Sequence, residues 1–445
     1  MTSRRSAFRS IVGNSEMHRR IIGLFATRGG IVGLNFASLL IVAALMEPTE
    51  FGEFVFLWSA AQLLSAFAGL GSVNYLMREG SARQGDPGRG VSRQEAVRIA
   101  LVFPALMLVG CAAVLSAIAL SFDDILVFAN IGPIDILCVC AAAGALIALS
   151  HSATPLRLNE WQTSSMIVRD AGPQSIILLV VAADYVFDTL TPATVLLAFA
   201  IIGSLVATVA IAVGMKGDTG LWREGDAVRH GGQMGFWGSS IVGMGATQFD
   251  VFIGGFFLQE EELGVYQIVK RLANLIGMPQ AILNWAYIVR LGKHYAQGGL
   301  DEIRRDCATG VTWGVLPGLG LFAGLVVAMP FMFEFYAIDD RAIAWAVFLL
   351  LAGSNIVNLA FGLNVALAAQ SNREHLAFLG RALGLSTGIV SIFVFASAFG
   401  EVAFAASVMA SATIINCFTS YRLWRELGVD TSFAASIRLA ITRAI

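Results

Sequence analysis

Read for hydrophobic and polar positions alone, the chain alternates long apolar runs with short polar punctuation, each run near the 20 or so residues that a helix needs to cross a hydrocarbon layer about 30 Å thick. Twelve such runs are counted, at 30–47, 55–77, 99–120, 132–152, 171–187, 193–213, 235–258, 264–289, 309–333, 343–369, 377–398 and 402–420. Unpaired backbone groups are costly in lipid, and the runs are too long and too evenly apolar for tilted barrel strands, so each is expected to be a helix. The expected fold class is all-α, a polytopic membrane protein with twelve transmembrane helices. Composition agrees: 57% of the 445 residues are hydrophobic and 13% charged, and the mean hydropathy is +0.73, above what a soluble globular chain shows.

Charge then orients the spans. Cations beside membrane helices are retained on the cytoplasmic side. With the N-terminus inside, that face receives the Arg4–Arg28 group, Arg78, Arg83, Arg89, Arg93, Arg98, Arg157, Arg169, Lys216, Arg290, Lys293, Arg304, Arg381 and the tail arginines, whereas the opposite loops hold Glu47, Glu50, Asp123, Asp184, Glu260, Glu261, Glu262, Asp339 and Asp340 with Arg341 as their single cation. Both termini are therefore expected in the cytoplasm. The formal net charge of −2 averages a basic face and an acidic one and says little about partners. No cleavable signal peptide is apparent. Residues 5–25 read either as a helix on the inner leaflet or as a solvated basic tail.

The chain repeats itself weakly at an offset of 212 residues: "TEFGEF" (49–54) falls on "EELGVY" (261–266), "YLMREG" (75–80) on "YIVRLG" (287–292), and Gly33, Gly52 and Arg78 on Gly245, Gly264 and Arg290. An even number of spans per copy keeps both in one orientation, a parallel duplication about an axis normal to the membrane. The expected organisation is a basic segment at 1–29, a six-helix lobe at 30–213, a cytoplasmic linker at 214–234, a second six-helix lobe at 235–420 and a cytoplasmic tail at 421–445. Transporters built in this way hold substrate between the lobes and rock one against the other.

The stretch "MEPTEFGEFVFLWSAAQLLSAFAGLGSVNYLMRE" and its counterpart "FDVFIGGFFLQEEELGVYQIVKRLANLIGMPQAILNWAYIVRL" resemble the paired signatures of O-antigen and polysaccharide flippases, the Wzx-type branch of the multidrug/oligosaccharidyl-lipid/polysaccharide superfamily. The likeness covers nearly the whole chain in architecture and the first two spans of each half in motif. It implies a bacterial inner-membrane protein, not an enzyme, that moves an undecaprenyl-pyrophosphate-linked oligosaccharide to the periplasmic leaflet for surface polysaccharide or O-antigen assembly. Its implied partners are that substrate, membrane lipids, and the glycosyltransferases and polymerase of the pathway; no nucleic acid is expected. Gly264, Tyr266, Arg271 and Asp250 stand where the resemblance expects a glycine, an aromatic, a base and an acid, while Lys270 departs from it.

Depth gives the same stretch a second meaning. At 1.5 Å per residue, Lys270 and Arg271 lie roughly 9–11 Å below the outward turn, inside the hydrocarbon, where cations usually face a bundle interior or a wet cavity. Asp250 on the preceding span matches their depth. Two readings stand. In one, Asp250 and Arg271 neutralise each other while Lys270 snorkels; in the other, a surplus cation lines a cavity and holds the pyrophosphate by charge-assisted hydrogen bonds. A carboxylate there could also take a proton or Na⁺ and couple transport to a gradient. Asn355 and Asn358 lie one turn apart and suit either sugar hydroxyls or interhelical bonds. Arg28, Arg78, Arg290 and Arg381 are expected to anchor helix ends at headgroups or to guard the cytoplasmic entrance.

Several chemistries are not indicated. There is no P-loop motif and no H-E-x-x-H, and the five histidines, His18, His151, His230, His294 and His375, fall near the cytoplasmic face without ligand spacing, so neither cofactor nor metal is expected. Cys138 and Cys140 suit small packing residues better than redox chemistry. Two rivals to the flippase reading are an exporter of organic cations, whose cavity should be acidic or aromatic, and a membrane glycosyltransferase, which generally carries a long outward loop with arginines.

Overall fold

A computed structural model describes residues 15–77, 91–121, 132–159, 161–187, 191–214, 222–223, 233–371 and 373–444. Arg78, residues 1–14 and most of the expected linker lie outside these described residues.

Every predicted span is helical. The first half holds α1 (Ser15–Leu45), α2 (Pro48–Ala68), α3 (Phe103–Ser121), α4 (Pro133–Leu158), α5 (Gly172–Phe187) and α6 (Pro192–Gly214). Proline opens α2, α4 and α6, where its missing N–H would have had no partner. Short π-helical turns, Arg98–Val102 and Ile167–Ala171, lead into α3 and α5. The second half holds α7 (Gln233–Gly254), α8 (Glu260–Asn274), α9 (Met278–Ala296), α10 (Leu300–Phe335), α11 (Arg341–Phe361), α12 (Asn364–Gln370), α13 (Glu374–Phe399) and α14 (Glu401–Leu427), followed by a short α15 (Phe433–Ala444). Among the described residues the extended pairing is a two-residue parallel ladder, Val91–Ser92 with Trp222–Arg223. The chain is a multi-pass membrane protein: apolar side chains such as Val109, Leu205, Val327 and Phe331 point away from the protein, as lipid-facing positions must.

Three spans expected as single helices are broken, span two among them at Leu70–Gly71, where φ is +53° and +65°. Span eight splits at a 3₁₀ turn, Leu275–Gly277, because Pro279 has no N–H to return to the carbonyl of Leu275. Span ten breaks at Gly362, where φ is +60°; the carbonyl released there accepts a hydrogen bond from Gln280 Nε2 of α9. Ten helices among the described residues are long and apolar enough to cross a membrane. The two predicted spans that fall short are α7 and the α8–α9 pair, which carry Asp250, Lys270 and Arg271.

Within each half the helices pack on one another, α4 between α2, α3 and α6, and α14 between α11 and α13. Between the halves, α2 lies against α7 and α8, and α1 against α8 and α9. One buried apolar cluster runs through both, from Leu39, Phe56 and Phe199 to Phe249, Phe348 and Phe404. Near the acidic face, α2 and α8 meet through glycines that the 212-residue repeat makes equivalent. A Cβ on Gly52 would stand 1.7 Å from the carbonyl oxygen of Glu260, and one on Gly264 3.2 Å from that of Pro48. Bare backbone is what lets the two helix starts approach.

Gly52→Ala is therefore expected to force α2 and α8 apart and to destabilise the protein by about 1–3 kcal/mol. Gly33→Ala is the control: its Cβ meets nothing within 4 Å, and the exchange should be neutral or stabilising by up to about 1 kcal/mol. Thermal unfolding of the purified variants in detergent checks both.

Candidate functional site

The two halves fill the layer of Asp250 and Lys270 differently. In the first, the positions equivalent to Asp250 and Lys270 are Ser38 and Trp58, both buried, and the Trp58 ring stacks edge-on against Phe199 at 5.1 Å. In the second, the same layer is charged. The α8 sequence begins Glu260, Glu261, Glu262 with a reciprocal cap at Gln259, an acidic first turn that suits the positive end of the helix dipole. Two turns further on, the helix enters a run from Tyr266 to Ala273 in which every residue is buried except Arg271.

Asp250, 1% exposed, is fully engaged. Lys270 Nζ donates to its Oδ1 at 2.8 Å and to the carbonyl of Thr247 at 3.1 Å, and the Tyr266 hydroxyl donates to its Oδ2 at 2.7 Å. The expected Asp250–Arg271 pair is thus corrected to Asp250–Lys270, and Lys270 points into the α7–α8 contact rather than snorkelling. The reason is angular. Neighbouring helical residues project about 100° apart, so at one depth only one of the two cations can face α7, and Lys270 shares that side of α8 with Tyr266, one turn earlier. Arg271 is half-buried and has no hydrogen-bond or ion-pair partner among the described residues.

The remaining candidates are distributed as follows. Asn355 Nδ2 donates to the Ala273 carbonyl at 3.2 Å, beside the 3₁₀ turn, and to that of Leu351 at 3.0 Å. Asn358 Oδ1 accepts from Asn416 Nδ2 at 2.6 Å, and Asn416 Oδ1 accepts from Asn364 Nδ2 at 2.9 Å, so both amides knit α11 to its neighbours. Arg28 is paired with Asp170 at the π-helical turn before α5, and Arg169 donates to the same carboxylate at 2.8 Å. Arg290 donates to Asp306 of α10 at 2.8 Å and lies over the Tyr287 ring. Neither of these two arginines is near the Asp250 pair in sequence or in bonding.

Sequence reasoning missed three participants. Tyr266 enters it only as a motif aromatic, yet its hydroxyl is the second donor to Asp250. Asp170, a lone acid inside an apolar stretch, is the available signal for Arg28. Arg381, a headgroup anchor by its place in the sequence, lies half-buried in α13 with its guanidinium over Gly243 of α7. Gly243, Thr247 and Asp250 share one side of α7 by helical spacing.

Removing one partner of a buried pair leaves an uncompensated charge. Asp250→Asn and Lys270→Met should each destabilise the protein by about 3–5 kcal/mol, and the double variant should recover most of that loss; a double-mutant cycle on thermal unfolding measures the coupling. Arg271→Met should leave the unfolding temperature nearly unchanged.

No known family model matches the sequence, and neither does any curated protein sequence. Solved structures do match the fold. The lipid II flippase MurJ in an inward closed conformation is 12% identical, with a TM-score of 0.65 over 90% of this chain and 87% of that one. The MATE multidrug transporter DinF-BH is 13% identical, with a TM-score of 0.63 over 94% and 97%. A point mutant of the Vibrio cholerae MATE transporter VcmN is 14% identical, with a TM-score of 0.59 over 93% and 98%. This chain has the fold shared by the lipid flippase MurJ and the MATE transporters of the MOP superfamily.

Proposed function

We propose that this chain flips a lipid-linked oligosaccharide, carried on a polyprenyl diphosphate, across the bacterial inner membrane, with both termini and the basic face cytoplasmic. The two halves, 30–213 and 235–420, alternate access to a chamber between them. One observation carries the reading: after Lys270 and Tyr266 satisfy Asp250, the charge left over in the α7–α8 layer is the guanidinium of Arg271. A planar, permanently charged fork suits a diphosphate. In a low-dielectric layer its charge-assisted hydrogen bonds are stronger than in water.

The same arithmetic disfavours the rival exporter of organic cations, for which an uncommitted carboxylate would be needed at this depth; Asp250 has both oxygens engaged. Asn355 and Asn358 enter the reading as scaffold that holds α8 and α14 against α11. Arg28 and Arg290, each paired with a carboxylate, enter it as helix anchors. The likeness to MurJ supports lipid-linked cargo, while the likeness to the MATE transporters supports transport in general.

Arg271→Ala is expected to abolish surface glycan in a polysaccharide-export strain lacking its own flippase, at matched expression, and Arg271→Lys to restore part of it. Wild-type glycan in the Arg271→Ala strain would refute the assignment of the diphosphate to this residue.

A further inference from the structure

His151 lies seven residues before the end of α4, about 10 Å inside its basic end. It is buried, and both ring nitrogens are engaged: Nδ1 lies 2.8 Å from the Ile147 carbonyl oxygen and Nε2 2.8 Å from Ser72 Oγ. A carbonyl only accepts, so Nδ1 carries a hydrogen. Ser72 Oγ is also within hydrogen-bond reach of the Gly69 carbonyl. One hydroxyl hydrogen cannot serve both acceptors. With a neutral ring, Ser72 donates to Nε2; with a protonated ring, Nε2 donates to Ser72 and the hydroxyl turns to Gly69.

Ser72 sits where span two is interrupted. Leu70 and Gly71 have φ of +53° and +65°, and a positive φ at a leucine is strain that the surroundings must hold in place. What surrounds the break is the other half of the protein. A Cβ on Gly71 would stand 2.4 Å from the backbone nitrogen of Trp237, and Trp237 Nε1 donates to the Phe67 carbonyl at 2.7 Å. Beside this contact lies a cavity of about 300 Å³ lined by Ser65, Asn74, Ser150, His151, Ser240 and Met244, among others.

No carboxylate faces the imidazole among the described residues. The α2 acids, Glu50 and Glu53, are at its opposite end; α3 has only Cys111; α6 and the Gln162–Met166 turn have no titratable group. Arg98 neighbours Glu95, Asp170 is taken by Arg28 and Arg169, and Asp250 of α7 by Lys270. On α4 itself, Asp135 is at the far end, Cys138 and Cys140 are in its acidic-side half, and Arg157 is exposed beyond the ring.

We propose that His151 is a proton-binding site that operates the contact between α2 and α7 at the basic face. An imidazolium enclosed without a counter-ion disfavours the closed contact, so proton uptake parts the halves there and admits water to the Ser240 cavity; release lets Ser72 return to Nε2 and the contact re-form. The site couples proton occupancy to access. Its purpose rests on the transport reading, but its test uses no glycolipid, so either can fail alone.

The full chain is reconstituted in phosphatidylethanolamine/phosphatidylglycerol nanodiscs with its five cysteines replaced and Ser240→Cys introduced. Alkylation by a hydrophilic maleimide is timed at about pH 6 and about pH 8, and each rate ratio is divided by that of the same protein bearing His151→Gln, which removes the intrinsic pH dependence of the thiol. The normalised ratio should show labelling favoured in acid by about threefold or more; a ratio of unity overturns the proposal. Should His151→Gln fail to fold, ¹⁵N-histidine spectra of a protein in which the other four histidines are glutamine decide. A second ring proton gained between about pH 8 and about pH 5 supports the site, and one neutral tautomer throughout overturns it.

Discussion

A carboxylate inside hydrocarbon must be surrounded by donors or lose its charge, and Asp250 draws the local structure to itself on those terms. Tyr266 and Lys270, one turn apart on α8, supply a hydroxyl and an ammonium to its two oxygens. That demand sets the rotation of α8 against α7. Once the rotation is set, Val269 and Leu272 enter the core, and Arg271 is turned away from α7. The proposed cargo site is thus a by-product of satisfying an acid: the more completely Asp250 is neutralised from within the protein, the more plainly Arg271 is available to something else.

The first half solves the same layer without ions. Ser38 and Trp58 occupy the equivalent positions, and the Trp58 and Phe199 rings supply by area what Lys270 and Asp250 supply by charge. Positions that the 212-residue repeat makes equivalent thus carry different chemistry in the two halves. Ions were kept elsewhere in the first half, at the π-helical turn before α5, where Asp170 gathers Arg28 and Arg169. There the wider turn leaves the Asp170 carbonyl open, and it accepts from Asn35 Nδ2 at 2.8 Å. π-Bulges recur where a helix must expose backbone to a side chain.

Helical class and span count were legible because hydrophobic run length answers directly to bilayer thickness. Depth was legible too, since rise per residue is fixed, and it placed Asp250, Lys270 and Arg271 in one layer. Azimuth was not. About a hundred degrees separates Lys270 from Arg271, and which of them meets Asp250 depends on packing with α2, α7 and α11 that no spacing rule encodes. His151 escapes sequence reasoning for the same reason: its nearness to the basic end follows from position, but its direction, inward to Ser72, does not. The break at Pro279 could have been read from proline's missing N–H; the one at Gly362 depends on Gln280, eighty-two positions earlier.

Gly52 and Gly264 are equivalent positions of the 212-residue repeat, and in the folded chain each lies against the segment that carries the other. Such self-contact couples what the two positions can tolerate. Enlargement of either residue is felt by the other's helix, so a substitution at one site is judged by the geometry of both. The acidic-side seam between the halves is kept narrow by the absence of two side chains.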